Sequence, residues 1–398
     1  VIQLEQVQAK VSKSIKRSAP VLTDLSLSCG AISTQELFAS ENVPPFVTTA
    51  VDGFAVRALD ISKASAESPI QLTSDGTQAA GSDDFKASSN SVLKVMTGAI
   101  VPDEYDSVVM VENVIIDNSV ISFSNPIPKG SYIRSIGSNI IKDQQVLDKN
   151  HILTPARIGV LASLGIEQVS VYKKPVVGVM SSGAELAESN GELARGKIRD
   201  TNRIMLITTL KKLGFETIDL GIVNDNEKEV TDFIFESVEK CDVIVSTGGV
   251  SMGDFDFIKS SMLALDGFEW SQIAIKPGKP FLFGLINSVP FFGLPGNPVS
   301  ALVSFELLVR PALMKMMGYK NDPKQKCYGR SAGEIAEHQD GKTHYLRAKV
   351  DFCDQNIVEI IDGQHSHQLL GLAEANCLAV VPDGISYKKG EALELIML

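Results

Sequence analysis

From Ser246 to Asp256 the chain reads Ser-Thr-Gly-Gly-Val-Ser-Met-Gly-Asp-Phe-Asp. The adjacent Gly248 and Gly249 let backbone approach a ligand closely, and Ser251 offers a hydroxyl. The run is neither G-x-G-x-x-G nor a P-loop, because the spacing fits neither and no G-K-[ST] follows. Farther on, Lys276-Pro277-Gly278-Lys279-Pro280 sets two lysines in a stretch whose φ is restrained by prolines, a stiff presentation of ammonium groups to an oxyanion. Pro295-Gly296-Asn297-Pro298-Val299-Ser300 places Asn297 at a helix N-cap and Pro298 at N1. The first-turn N–H groups, with Ser300 beside them, would then face an anion. Each motif alone is as readily a turn or a capped core helix; together they describe an anion-binding crevice edged with carboxylates.

Those carboxylates are Asp52, Glu185, Asp200, Asp225 and Asp256, each at a loop or helix start. Any one of them reads first as a cap or turn residue. Several meeting beside basic and N–H donors would suit a divalent cation such as Mg2+. His365-Ser366-His367 lacks a third ligand and reads as surface.

The elements that must position these groups alternate. Apolar residues recur at helical spacing from Ile152 to Leu164, with Thr154 as N-cap, Pro155 at N1 and Gly165 closing the helix. A strand is expected over Pro175–Met180, a helix over Arg203–Lys212 ended by Gly214, and a strand over Glu216–Val223. A helix over Glu227–Lys240 and a strand over Asp242–Ser246 follow, then a long apolar helix, Val299–Met317. Strict alternation implies a parallel sheet covered on both faces, with ligands beyond the carboxyl ends of the strands, where the Gly, Ser and Asp clusters lie. Residues 1–40 read as two helices, or a helix and a short strand. The β-branched stretches Val92–Thr97 and Ser107–Val111 predict a small β-rich domain, and Tyr345–Val350 with Ile357–Ile361 another at the C-terminal end.

A length of 398 residues predicts two to four domains. A net charge of -11 argues against nucleic acid, whose phosphates need a clustered basic surface. Five widely spaced cysteines without a C-x-x-C pair fit a reducing compartment. With neither a signal-peptide pattern nor an apolar run of membrane-spanning length, a cytoplasmic location is expected.

Taken together the motifs resemble the MoeA/gephyrin E-domain family, the molybdopterin molybdenumtransferases, over nearly the whole chain. The resemblance runs through Pro44-Pro45-Phe46, Val51-Asp52-Gly53-Phe54-Ala55, Thr97-Gly98-Ala99 and Ser182-Gly183-Ala184-Glu185-Leu186. It continues through Ile198-Arg199-Asp200-Thr201-Asn202, Gly248–Asp256, Lys276–Pro280 and Leu294–Ser300. It implies an elongated α/β multidomain subunit: a discontinuous N-terminal domain (1–43 and 132–173), an inserted β-rich domain (44–131), a doubly wound molybdopterin-binding-type α/β domain (174–319) and a β-barrel-like C-terminal domain (320–398).

The implied reaction consumes adenylylated molybdopterin and molybdate with Mg2+, releasing AMP, and the implied metal ligands are Asp225 and Asp256. It implies a homodimer, with Asp52 and Thr97 of one subunit brought to Glu185, Asp225 and Asp256 of its partner as catalytic residues. Asp200, Asn202, Gly248, Gly249, Ser251, Lys276, Lys279, Pro295, Asn297, Pro298 and Ser300 are the implied binding residues. A molybdopterin adenylyltransferase-type (G-domain) partner belongs to the same picture. The chain departs from the family pattern at Ala184, where Asp or Asn is usual, at Asn139, where Asp is common, at Asn224, at Pro102–Tyr105 and at Cys377, where Gly is usual. Each loss removes a charge or a donor or alters a fit. They motivate a second reading, a catalytically weakened, gephyrin-like dimeric scaffold with a receptor or other protein partner.

Overall fold

The computed structural model describes residues 1–82, 87–88, 90–188, 192–223, 227–251, 256–320, 327–353 and 355–398. Two compact units result, one of Leu22–Ser170 and one of Val1–Val21 with Val171–Leu398. The chain opens with α1 (Leu4–Ser14), whose Leu4, Val7 and Val11 fall on one face and are buried. A short strand, Pro20–Asp24, comes next, so the first forty residues hold a helix and a strand.

In the unit Leu22–Ser170 a six-stranded sheet runs, in spatial order, Ser107–Met110, Gly53–Val56, Ser91–Val95, Ile70–Gln78, Val120–Phe123 and Val114–Asp117. Successive side chains leave on opposite faces: Phe54, Val56 and Val92 enter one core, Ala55, Leu93 and Val95 another. Gly53 is required where it stands, because a Cβ there would lie 2.1 Å from the Val109 carbonyl oxygen. Helix α2 (Pro155–Ala162) starts as expected, with the Thr154 side chain accepting from the Arg157 amide and Pro155 in the first turn. Gly165, at φ +70°, follows its end.

The second unit is built round a sheet ordered Thr217–Val223, Val177–Ser182, Val243–Thr247, Val289–Leu294, Pro280–Ile286 and Glu269–Gln272. The first four strands are parallel and the last two antiparallel, so the sheet is mixed and not wholly parallel as the alternation implied. The cause is local: Asn287 and Ser288, both at positive φ, close a tight hairpin between two phenylalanine-rich strands, and no crossover helix intervenes. Both faces are covered. Val177, Val179, Val243 and Val245 join α1, α3 (Asn202–Lys212) and the 298–316 helical run in one core, while Met180 and Ile244 join α4 (Glu227–Val238) and α5 (Phe257–Leu263) in the other.

The long apolar helix is α6 (Pro298–Ser304), a π-helical turn over Phe305–Val309, and α7 (Arg310–Met316). Pro311 has no N–H to give the preceding turn, and a widened turn ahead of it accommodates the missing bond. Beyond it, Cys327–Ser331, Thr343–Asp351, Ile357–Ile360, Cys377–Val381 and Ala392–Met397 pair in a ring, a closed five-stranded barrel. Its interior is narrow and filled by Ala348, Val350, Ala379, Val381, Leu393 and Cys377. Helix α8 (Leu369–Glu374) lies before the fourth barrel strand. No helix among the described residues is long and apolar enough to cross a membrane.

Candidate active site

The parallel strands end level, Ser181 beside Thr247 and Thr247 beside Leu294, so the loops that follow them start from one edge of the sheet. Each loop is tied to the next. The Gly248 amide donates to the Leu294 carbonyl at 3.1 Å. The Asn202 side-chain amide, at the start of α3, donates to Thr247 Oγ1 at 2.8 Å and to the Gly296 carbonyl at 2.7 Å. Gly248 sits at φ +85°, and a Cβ on it would fall 2.2 Å from the Ser182 carbonyl oxygen, so glycine alone lets the two loops approach.

A crevice of about 1020 Å3 opens at this edge. From the α/β side it is lined by Glu185, Ser251, Lys276, Lys279, Pro295, Asn297 and Ser300, and from the barrel side by His338, His344, Gln364, His365 and Ser366. The lysine loop joins the two sides: Ile275 pairs with Thr343 and Lys276 with His344, in a short parallel extension of the barrel sheet. Gly278, at φ +108°, lies against the helical run, where a Cβ would come 2.8 Å from Ser304 Oγ.

Two crevice residues, Lys276 and His344, share a carboxylate, that of Asp340, which does not itself line the crevice. The Asp340 carboxylate meets Lys342 Nζ at 3.0 Å, His344 Nε2 at 3.0 Å and Lys276 Nζ at 3.8 Å. The Lys342 hydrogen bond, then that of His344, holds Asp340 well below the usual carboxylate range. His344 is stacked on His338 with ring centroids 3.8 Å apart. Burial lowers the His344 pKa, against the opposing pull of Asp340. Lys279 has no ion pair among the described residues.

Several expected site residues stand elsewhere. Asp200 is turned inward: its carboxylate accepts from the Arg203 amide and from Arg203 Nε at 2.9 Å, and it does not line the crevice. Arg203 also pairs with Asp219 and Glu188, and these hydrogen bonds overcome its desolvation and raise its pKa. Asn202 uses its N–H donors as a staple, and its Oδ1 is buried without a partner. Gly248 and Gly249 shape the loop behind the lining. Asn297 is the N-cap residue of α6, but its side chain makes no capping bond. Of the first-turn amides expected to face an anion, Pro298 has none and that of Val299 donates to the Ser366 carbonyl.

Among the described residues no three His, Cys, Asp or Glu side chains are placed to hold a metal ion. Glu185 is exposed at the crevice, Asp256 precedes α5, and Asp225 lies outside the described residues, as do Asn224 and Asn226. Asp52 and Thr97 belong to the other unit, where they hydrogen-bond to each other.

The barrel-side groups were not anticipated. His365 and Ser366 read as surface, yet they line the crevice because Arg347 holds their loop. Its buried guanidinium donates to the carbonyls of Gly363, His365 and Gln368. The departure at Cys377 is a matter of packing, since its side chain fills the barrel and burial pushes the thiol up to about 11. Ala184 is exposed, and its carbonyl accepts from Lys197.

The architecture defines a multidomain protein centred on a molybdopterin-binding-type α/β domain. Residues 2–165 match the MoeA N-terminal region (domain I and II), residues 178–315 a probable molybdopterin binding domain, and residues 334–398 the MoeA C-terminal region (domain IV). The molybdopterin molybdenumtransferase of Haemophilus influenzae is 34% identical over 389 residues, 96% of this chain and 94% of that protein. That of Staphylococcus aureus is 30% identical, over 99% of this chain and 94% of its own length. The molybdopterin biosynthesis MoeA protein of Pyrococcus horikoshii superposes with a TM-score of 0.84 at 27% identity, each chain covered fully (100%). The chain belongs to the MoeA family.

Proposed function

We propose that this chain is a molybdopterin molybdenumtransferase of molybdenum cofactor biosynthesis, inserting molybdenum from molybdate into adenylylated molybdopterin with release of AMP. The observation that carries the reading is the crevice at the strand ends, where Lys276, Lys279 and Ser300 converge in a chain matched along its length by transferases of that name. In a protein of charge -11 these lysines gather positive potential locally. They would hold the tetrahedral oxyanion and neutralise ligand phosphates, while the Ser251 and Ser300 hydroxyls orient oxygens.

Mg2+ fits this donor set in a limited way. It takes one or two carboxylates with substrate phosphates and water, so Glu185 and Asp256 suffice in kind where no three-carboxylate cage is seen among the described residues. When bound it would supply charge neutralisation at the phosphates. Asp225 is part of the same proposal.

A homodimer completes the reading, with Asp52 and Thr97 of one subunit serving the crevice of the other. Five free thiols suit a cytoplasmic setting. The scaffold reading is favoured by no observation on this chain. Purified protein given adenylylated molybdopterin, molybdate and Mg2+ should yield cofactor that reconstitutes an apo-molybdoenzyme, and the gene should rescue a strain lacking its own insertase. Failure of both, where a known family member succeeds, rejects the proposal. Mixing Asp52→Ala with Asp256→Ala subunits should restore activity if the site is shared, and a strictly monomeric mass at micromolar concentration contradicts the dimer.

A further inference from the structure

The glycine loop at the crevice is held by two residues that do not line it. The Lys259 amide donates to the Gly249 carbonyl at 3.0 Å, the Trp270 indole Nε1–H to the Val250 carbonyl at 2.8 Å, and the Lys259 ammonium to the Ser251 carbonyl at 3.2 Å. Three consecutive carbonyls are thereby engaged. The ammonium also lies 4.2 Å from the centroid of the Trp270 ring, so the two side chains fix each other.

In a trans peptide the carbonyl and the next N–H point to opposite sides. Anchoring the Val250 carbonyl on Trp270 therefore aims the Ser251 N–H away from the indole. That N–H has no acceptor among the described residues, and Ser251 lines the crevice where Trp270 and Lys259 do not. Gly249 and Val250 have little freedom to reorient. Val250 is fully buried, and a Cβ on Gly249 would lie 3.2 Å from both Ile258 and Ser182.

We propose that Trp270 and Lys259 are positioning residues that hold the Ser251 amide toward an anionic oxygen of the pterin substrate, an inference that rests on the function proposed above. Neither residue touches the substrate. Their effect is on binding through Ser251, and the lysines proposed above to hold molybdate sit on a different loop.

The test compares the wild type with Trp270→Phe, which keeps a ring and loses the donor, and with Lys259→Met and Lys259→Arg. Calorimetric dissociation constants for molybdopterin and for molybdate are measured separately, with KM, kcat and the thermal midpoint. Trp270→Phe and Lys259→Met should raise the molybdopterin Kd and KM about fivefold to tenfold, leaving kcat within about twofold and molybdate affinity unchanged. Lys259→Arg should restore binding, because arginine reaches the same carbonyl and keeps its charge over the ring. Unchanged molybdopterin affinity in Trp270→Phe overturns the inference and leaves the proposed function standing. So does a loss of molybdate and molybdopterin binding in step with a fallen thermal midpoint. A wild type that binds no molybdopterin removes the function and this inference together.

Discussion

The carboxylate of Asp52 accepts two hydrogen bonds from Thr97, one from the amide at 2.6 Å and one from the hydroxyl at 2.7 Å. The backbone bond, then the hydroxyl, holds Asp52 below its ordinary 3.8, so the group is an anion throughout the neutral range. Thr97→Val removes the hydroxyl bond and keeps the amide. The Asp52 pKa should then rise, read by carboxyl-carbon NMR titration, and an unmoved pKa refutes the coupling.

Lys279 and Lys276 should not contribute equally to anion binding. Lys276 shares its charge with Asp340 at 3.8 Å, whereas Lys279 has no ion pair among the described residues. A charge-assisted contact is worth roughly 1.5–3 kcal/mol, so Lys279→Ala should raise the molybdate dissociation constant about tenfold or more, and Lys276→Ala by less. Lys10→Ala, far from the crevice and paired with Glu269, is the control. Calorimetric titration ranks the three, and an unchanged affinity in Lys279→Ala places the anion elsewhere.

Removing Arg347 should cost both stability and binding. Arg347→Met leaves the carbonyls of Gly363, His365 and Gln368 without their buried donor, a loss of about 3 kcal/mol in urea unfolding. Because the same loop presents His365 and Ser366, molybdate affinity should fall as well. A variant as stable as the wild type shows that water replaces the guanidinium.

His344 sets a pH dependence whose sign follows from burial. Its folded pKa is depressed below its ordinary 6.5, so as pH falls the unfolded chain takes up this proton first. Stability is therefore full above about 6.5 and declines as pH falls toward the folded pKa. Asp340 is also depressed, and its contribution is lost only at far more acid pH. Thermal midpoints should fall as the pH drops below about 6.5 in the wild type, and His344→Gln should flatten that segment. An identical slope in the variant assigns it to another group.

The parts legible in the sequence were those with a local cause. Thr154-Pro155 and Gly165 start and stop α2 through capping and a positive φ, and the βα alternation from Val177 to Val238 follows apolar periodicity. The strand Ile70–Gln78 is hidden in the sequence because the turn-forming Ser74-Asp75-Gly76 interrupts it, and it is stabilised by neighbours on both sides. The antiparallel edge of the α/β sheet was missed because two apolar strands read alike in either direction.

At the site, loop chemistry identified Lys276, Lys279, Ser251 and Ser300. Asp200 misled because a helix-start aspartate looks the same whether it faces solvent or a buried arginine three residues on. His338, Asp340 and His344 carried no periodic signal; strand pairing alone brings His344 beside Lys276.

That pairing has a mechanical consequence. Ile275 and Lys276 are a rung of the barrel sheet, and Pro280–Ile286, after three intervening residues, is a strand of the α/β sheet. One link between the two layers is thus Pro277, Gly278 and Lys279, a prolyl and a lysyl member of the anion loop among them. Such a tether cannot hinge without displacing the ammonium groups it carries. A shear of the barrel against the α/β layer would change the grip on a bound oxyanion, and an ion held there would in turn resist that shear.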